Sequence, residues 1–205
     1  MPLTRFQLIK SILFLVCLVP MVNLVWGFYA DRLGANPFEA LTRQSGEWTL
    51  RFLLLTLLMT PLREILQQAW PLRLRRMFGL FTFFYALFHL ITYLWLDQFF
   101  DWQEIATDIL KRPFITAGML AFTLLVPLAF TSTRAMMRRL GRRWKSLHRS
   151  IYLIGVLAVL HYLWLVKADL REPLIYAGLM ISLLGYRVWK NWRKRAPLRT
   201  QAGIN

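Results

Sequence analysis

Three histidines, His89, His148 and His161, are the side chains of this chain whose type and spacing could hold a redox metal. They fall on two apolar stretches, and the other apolar stretches carry none. Neutral imidazole is a good iron ligand, and an ionisable ring set in a membrane-like segment is costly unless it serves a site. His89 lies thirteen residues beyond the basic boundary at Arg76, and His161 lies thirteen residues beyond His148. At the helical rise each distance is about 20 Å. On two helices running the same way, His89 and His161 therefore reach one depth, where their rings can supply both axial ligands of a heme iron. Bis-imidazole ligation leaves no open coordination position and favours electron transfer over oxygen chemistry. Zinc would call for about four ligands of the Cys, His or carboxylate type, and acids are missing from these stretches. His148 stands at the mouth of its helix, either as a ligand of a second group or as an interfacial residue. At matching depth on the other helix is Arg76 or its neighbour, which can pair with carboxylates but does not bind iron. Thirteen residues also leave two rings roughly 140° out of phase, so His148 and His161 need not point the same way.

The elements that must position these rings are legible as hydrophobic blocks. The chain has 205 residues, 57% of them hydrophobic, with nine Trp, fifteen Phe and seven Tyr. Its apolar residues come in runs near the roughly 20 residues that cross a hydrocarbon core. The runs predict six spans: about Leu8–Phe28, Trp48–Pro61, Met77–Leu96, Pro113–Phe130, Leu147–Val166 and Pro173–Trp189. The second is the shortest, and its start could lie as early as Thr42 or its end as late as Ile65. Pro20 should kink the first span, and Pro113 suits the first turn of the fourth. The link from Asp97 to Arg112, with Phe99, Phe100, Trp102 and Ile105, reads as a short amphipathic piece at the interface. The first block reads as a retained helix rather than a cleaved signal. No internal repeat stands out. The sequence thus predicts an all-α integral membrane protein, a six-helix transmembrane bundle over residues 1–195 followed by a flexible tail over 196–205.

Charge supplies the orientation and excludes one class. The formal net charge is +16, but the basic residues sit in links and tail, which argues for a membrane surface and against nucleic acid. The N-terminus, the second and fourth links and the C-terminal segment hold 19 of the 26 Lys and Arg and a single acid, Glu64. The opposite set holds seven basic residues and nine acids. Lys and Arg are retained on the cytoplasmic side, so both termini should be cytoplasmic. Cys17, the one cysteine, permits no intrachain disulfide.

A larger pattern adds to this reading. Thr49-Leu50-Arg51-Phe52-Leu53, Thr60-Pro61-Leu62-Arg63, Arg75-Arg76-Met77-Phe78-Gly79-Leu80, Tyr85 through His89 to Tyr93, Arg112-Pro113, Ala129-Phe130-Thr131-Ser132-Thr133, Leu140-Gly141 through His148 to Tyr152, and His161-Tyr162-Leu163-Trp164 form an ordered set. In that set the chain resembles the heme-binding membrane subunits of bacterial periplasmic protein-methionine-sulfoxide reductase systems, within the ferric-reductase-like transmembrane group, over roughly residues 5 to 195. The resemblance implies a multi-pass protein of the bacterial inner membrane that binds heme b, with FMN associated. It implies electrons taken from the quinone pool and passed to a periplasmic molybdopterin-containing methionine sulfoxide reductase subunit, so that terminal reduction in the repair of oxidised proteins lies on the partner. A cytosolic flavin reductase is a further candidate donor. The family's heme-binding histidines carry over onto His89, His148 and His161, as cofactor-binding and metal-ligating residues. The chain lacks the inner-side histidine that the wider group has on helix three, and it has no room for a nicotinamide domain. The alternative within the same class is another quinol- or flavin-linked cytochrome b, such as a ferric reductase. A transporter would need intramembrane acids and broken helices that the spans lack.

Overall fold

The computed structural model describes residues 5–195, with side chains to residue 193; the expected tail, 196–205, lies outside the described residues. Among the described residues all regular structure is helical. Helix α1 spans Arg5–Tyr29, α2 Pro37–Leu66 and α3 Trp70–Thr92, the last running on through a π-turn at Tyr93–Asp97. Helix α4 is the short Trp102–Lys111, and α5 is Pro113–Phe130. Two short helices, α6 (Arg134–Leu140) and α7 (Arg142–Leu147), lead through a 3₁₀ turn at His148–Ser150 into α8 (Ile151–Leu165), and α9 is Arg171–Arg195.

Four stretches are long and apolar enough to cross a membrane by length and composition: Arg5–Tyr29, Trp70–Asp97, Pro113–Phe130 and Arg142–Leu165. With the large apolar side chains left on the surface, such as Leu15, Val22, Trp26, Phe130 and Ile181, they make a multi-pass membrane protein, because water would not tolerate that much continuous apolar surface. Helices α2 and α9 have the length but carry charges, among them Glu47 and Arg51 in α2 and Arg187 in α9.

Local chemistry places the helix ends. Asn36 caps α2, its side chain accepting from the Glu39 amide and donating to the Glu39 carboxylate, with Pro37 in the first turn. Helix α2 therefore begins well before the expected Trp48, and the polar stretch ahead of that residue is helical. Asp101 caps α4 through the amides of Gln103 and Glu104. The buried Asp108 of α4 accepts from Tyr93 and Gln98 and pairs with Arg112, tying this short helix to the end of α3. Gly141, at φ +51°, breaks the basic segment into α6 and α7.

The core joins five helices. Leu50, Leu53, Leu54 and Leu57 of α2 meet Ala86 of α3, Ala121, Leu125 and Leu128 of α5, and Ile151, Ile154, Val159 and Tyr162 of α8, with Met180 of α9 against them. Helix α2 packs chiefly on α3, and α5 on α8. Helix α1 leans on the outside of the first pair through Cys17, beside Phe52, Phe81 and Tyr85. Its fastening is specific. The hydroxyl of Tyr85 donates to the Cys17 carbonyl (2.8 Å) and accepts from the Met21 amide (3.0 Å), standing inside the helical bond those two groups would share. Pro20 has already opened the helix there by lacking an N–H, and in lipid the freed groups must find a protein partner. Tyr85 thus faces α1.

Candidate functional site

His89 sits in the last turn of α3, and His161 one turn before the end of α8. Their ring centroids are 6.1 Å apart and the planes are inclined by 80°. Two imidazoles on one metal, with bonds of about 2 Å and roughly another 1 Å from each nitrogen to its ring centre, place the centroids about 6 Å apart. The pair has the spacing for two axial ligands of one iron.

Hydrogen bonds fix the tautomer of each ring. Nδ1 of His89 lies 2.8 Å from the Thr42 carbonyl, with Ser45 Oγ at 3.4 Å. Nδ1 of His161 lies 2.6 Å from the Phe114 carbonyl. A carbonyl can only accept, so each Nδ1 carries the hydrogen and each Nε2 keeps its lone pair. Neither Nε2 has a hydrogen-bond partner among the described residues. Such a carbonyl contact holds the ring's orientation and raises the basicity of the free nitrogen, as it does for histidines bound to metals.

Glycine makes the close approach possible. A Cβ on Gly46 of α2 would fall 3.0 Å from Cε1 of His89, and one on Gly118 of α5 would fall 2.8 Å from Nδ1 of His161. Each imidazole therefore packs directly against a glycine of the neighbouring helix. The two halves are built alike: each histidine bonds to a carbonyl 47 residues earlier in the chain. A shift of 72 positions carries Thr42, Gly46 and His89 onto Phe114, Gly118 and His161. This is a repeat of backbone register that the sequence hides, with few identities beyond the glycine and the histidine.

The same shift carries Arg76 onto His148, so the likeness ends at the basic end of the helices. His148 does not join the other two. It lies in the 3₁₀ turn before α8, stacked on Trp144 with centroids 4.0 Å apart. Its Nε2 is 3.1 Å from Thr131 Oγ1, whose own hydrogen goes to the Pro127 carbonyl. The Thr131 oxygen therefore accepts from His148, and Nε2 carries the hydrogen here. Arg76, Arg142, Arg143 and Arg149 are all exposed. The arginines that turn toward the helices at this end are instead Arg75 and Arg187, near Tyr152. Sequence reasoning left Arg75 as the neighbour of Arg76 and passed over Arg187, and helical phase would have separated Arg75 from its neighbours.

Beside the histidine pair, charges are matched. Glu47 lies between Arg43 (3.4 Å) and Arg51 (3.0 Å), Arg51 also donates to Tyr176, and Tyr162, next to His161, donates to Glu172. Among the described residues no cluster of three or more His, Cys, Asp or Glu could hold a bare metal ion, so the imidazole pair fits a metal already ligated by a macrocycle.

Residues 45–168 match the family model of the ferric reductase like transmembrane component. That range runs from the turn of α2 that meets His89 to just past α8, and so contains both histidine–glycine pairs. Relatives match along nearly the whole chain. A protein of Azospira oryzae is 54% identical over 97% of this chain and 86% of its own length. One of Herminiimonas arsenicoxydans is 50% identical, covering 98% and 94%, and one of Rhodospirillum rubrum is 54% identical, covering 93% and 92%. All three are named protein-methionine-sulfoxide reductase heme-binding subunit MsrQ. No solved structure gave a significant match.

Proposed function

The chain belongs to the family of heme-binding membrane subunits of protein-methionine-sulfoxide reductase, within the ferric-reductase-like transmembrane components, and on that premise we propose that it carries electrons across the bacterial inner membrane through heme b held by His89 and His161. The observation that carries the proposal is the imidazole pair at 6.1 Å, each ring anchored through Nδ1 and open at Nε2. The heme would supply a one-electron couple with no free iron position. The chain supplies the rest. Thr42 and Phe114 orient the rings, Gly46 and Gly118 let the helices close on them, and the apolar core keeps water away.

We read six spans, α1, α2, α3, α5, α8 and α9, with the basic links and both termini cytoplasmic. Glu47 and Arg51 are tolerable inside α2 because they pair with each other. The histidine pair then lies toward the periplasm, and His148 toward the cytoplasm. Electrons enter from the quinone pool at the basic side, with FMN associated there and a cytosolic flavin reductase as a second donor. His148, stacked on Trp144, stands on that entry path. Electrons leave at the histidine-paired end to a periplasmic molybdopterin-containing subunit that reduces methionine sulfoxide in oxidised proteins. Reporter fusions at Gln98 and at the C-terminus should report opposite compartments; one shared compartment would refute the six-span reading.

The test of function uses the purified protein in nanodiscs. Quinol should reduce the heme, and the oxidised periplasmic subunit should reoxidise it. Reoxidation by a ferric chelate but not by that subunit would move the chain to the ferric reductases, and failure of quinol to reduce it would remove the quinone pool as donor.

A further inference from the structure

Several partly buried basic groups of the bundle sit beside acids: Arg51 and its neighbour Arg43 share Glu47, Arg112 meets Asp108, and Lys190 meets Glu64. Arg75 and Arg187 differ. Arg187 of α9 donates from Nη1 to the Tyr152 hydroxyl (2.6 Å) and from Nη2 to the Leu57 carbonyl (2.5 Å), with its guanidinium 4.9 Å from the Tyr152 ring centre. Its Nε is buried and has no partner. Arg75 of α3 is within electrostatic reach of Tyr152 and of Arg187 itself. Among the described residues neither arginine forms an ion pair with a carboxylate.

The hydrogen-bond inventory of this corner is one-sided. The Tyr152 oxygen accepts from Arg187, which leaves its O–H to donate. Arg187 Nε and the Arg75 guanidinium can only donate. Thr60 Oγ1, one turn beyond Leu57 on α2, is also buried and unpartnered. Two like charges drawn partly out of water with no acid beside them are unfavourable, while guanidinium forks are matched to carboxylate and phosphate oxygens.

We propose that Arg75, Tyr152 and Arg187 form a binding site for one oxyanion group, a phosphate or a carboxylate, between α3, α8 and α9 at the basic end of the bundle. It uses neither His89 nor His161 and stands apart from the heme reading. An anion there would neutralise the two arginines, take up the free Nε and fasten α9 to α8.

The experiment follows tryptophan fluorescence during thermal unfolding of the full chain. One arm adds inorganic phosphate to detergent-solubilised protein, against chloride at equal ionic strength. The other compares phosphatidylcholine nanodiscs with and without phosphatidylglycerol. The midpoint should rise by several degrees in at least one arm; the first identifies a soluble phosphate as source, the second a lipid headgroup. Arg75→Gln and Arg187→Gln should lose that rise, and Arg134→Gln, at an exposed position of the same end, should keep it. Arg75→Glu supplies an internal acid, so its midpoint without probe should exceed that of Arg75→Gln and no longer respond. No rise in either arm, or a rise that survives in Arg75→Gln, overturns the proposal, and Arg75→Gln decides alone where Arg187→Gln does not fold.

Discussion

The two ends of the central four helices are built on one register and finished differently. At one end, α2 with α3 and α5 with α8 each offer a carbonyl, a glycine and an imidazole in matching places. At the other, the shift that joins His89 to His161 joins Arg76 to His148, and the symmetry is lost. Matched halves suit a centre that must be gripped equally from two sides. Unmatched halves suit a surface where different groups meet, with a stacked His148 on one side and arginines on the other. Charge differs as well: the histidine-paired end neutralises Arg43 and Arg51 within the chain, whereas among the described residues Arg75 and Arg187 pair with no carboxylate.

Breaking the match at the paired end should have the largest effect. Gly118→Ala sets a methyl 2.8 Å from His161 Nδ1, and Gly46→Ala sets one 3.0 Å from His89 Cε1. The carbonyl contacts leave neither ring room to retreat. Heme per purified protein should fall by about tenfold in Gly118→Ala, equivalent to about 1.4 kcal/mol of lost affinity, and by less in Gly46→Ala. Equal, wild-type occupancy in both would mean that the close approach does not position the ligands.

The unmatched end should show a kinetic effect of intermediate size. His148→Ala should leave the heme of the paired end in place, because His148 touches neither of its histidines, and should slow its reduction by quinol several-fold. An unchanged rate in stopped-flow absorbance would take His148 off the entry path.

The smallest effect on the heme belongs to a residue one turn from His89 that serves neither end. Tyr85→Phe removes the hydroxyl that bridges Cys17 and Met21 and should destabilise α1 by about 1–3 kcal/mol, the range for a buried hydrogen-bonding group left unpaired. Chemical denaturation should report that loss with heme content unchanged. A loss of heme instead would place Tyr85 at the cofactor.

Much of this was legible as hydrophobic lengths. The spans at Pro113–Phe130 and around Met77–Leu96 follow from apolar runs between basic or acidic links, and the common depth of His89 and His161 follows from counting residues at the helical rise. The first turns of α2 did not read as helix because Glu39, Arg43 and Glu47 look like a polar link until their helical pairing is seen. Gly46 and Gly118 carried no signal of their own, since a close approach between helices depends on tertiary register. The direction of Tyr85 is hidden for the same reason: one turn from His89 on the same helix, it faces a different neighbour. The exposed Arg76, Arg142, Arg143 and Arg149 outnumbered the two arginines that turn in, and composition alone does not give direction.

The central claim is that Nε2 of His89 and Nε2 of His161 hold one heme iron between them. Its most direct measurement is a potentiometric titration, followed by absorbance, of the purified wild type beside His89→Ala, His161→Ala and His161→Met. Wild type should give a low-spin b-type spectrum, and both alanine variants should lose nearly all of it while still inserting in the membrane. His161→Met should bind any heme it retains at a raised potential, because a Met/His axial pair raises the potential of heme iron. Wild-type heme content and potential in all three variants would contradict the claim.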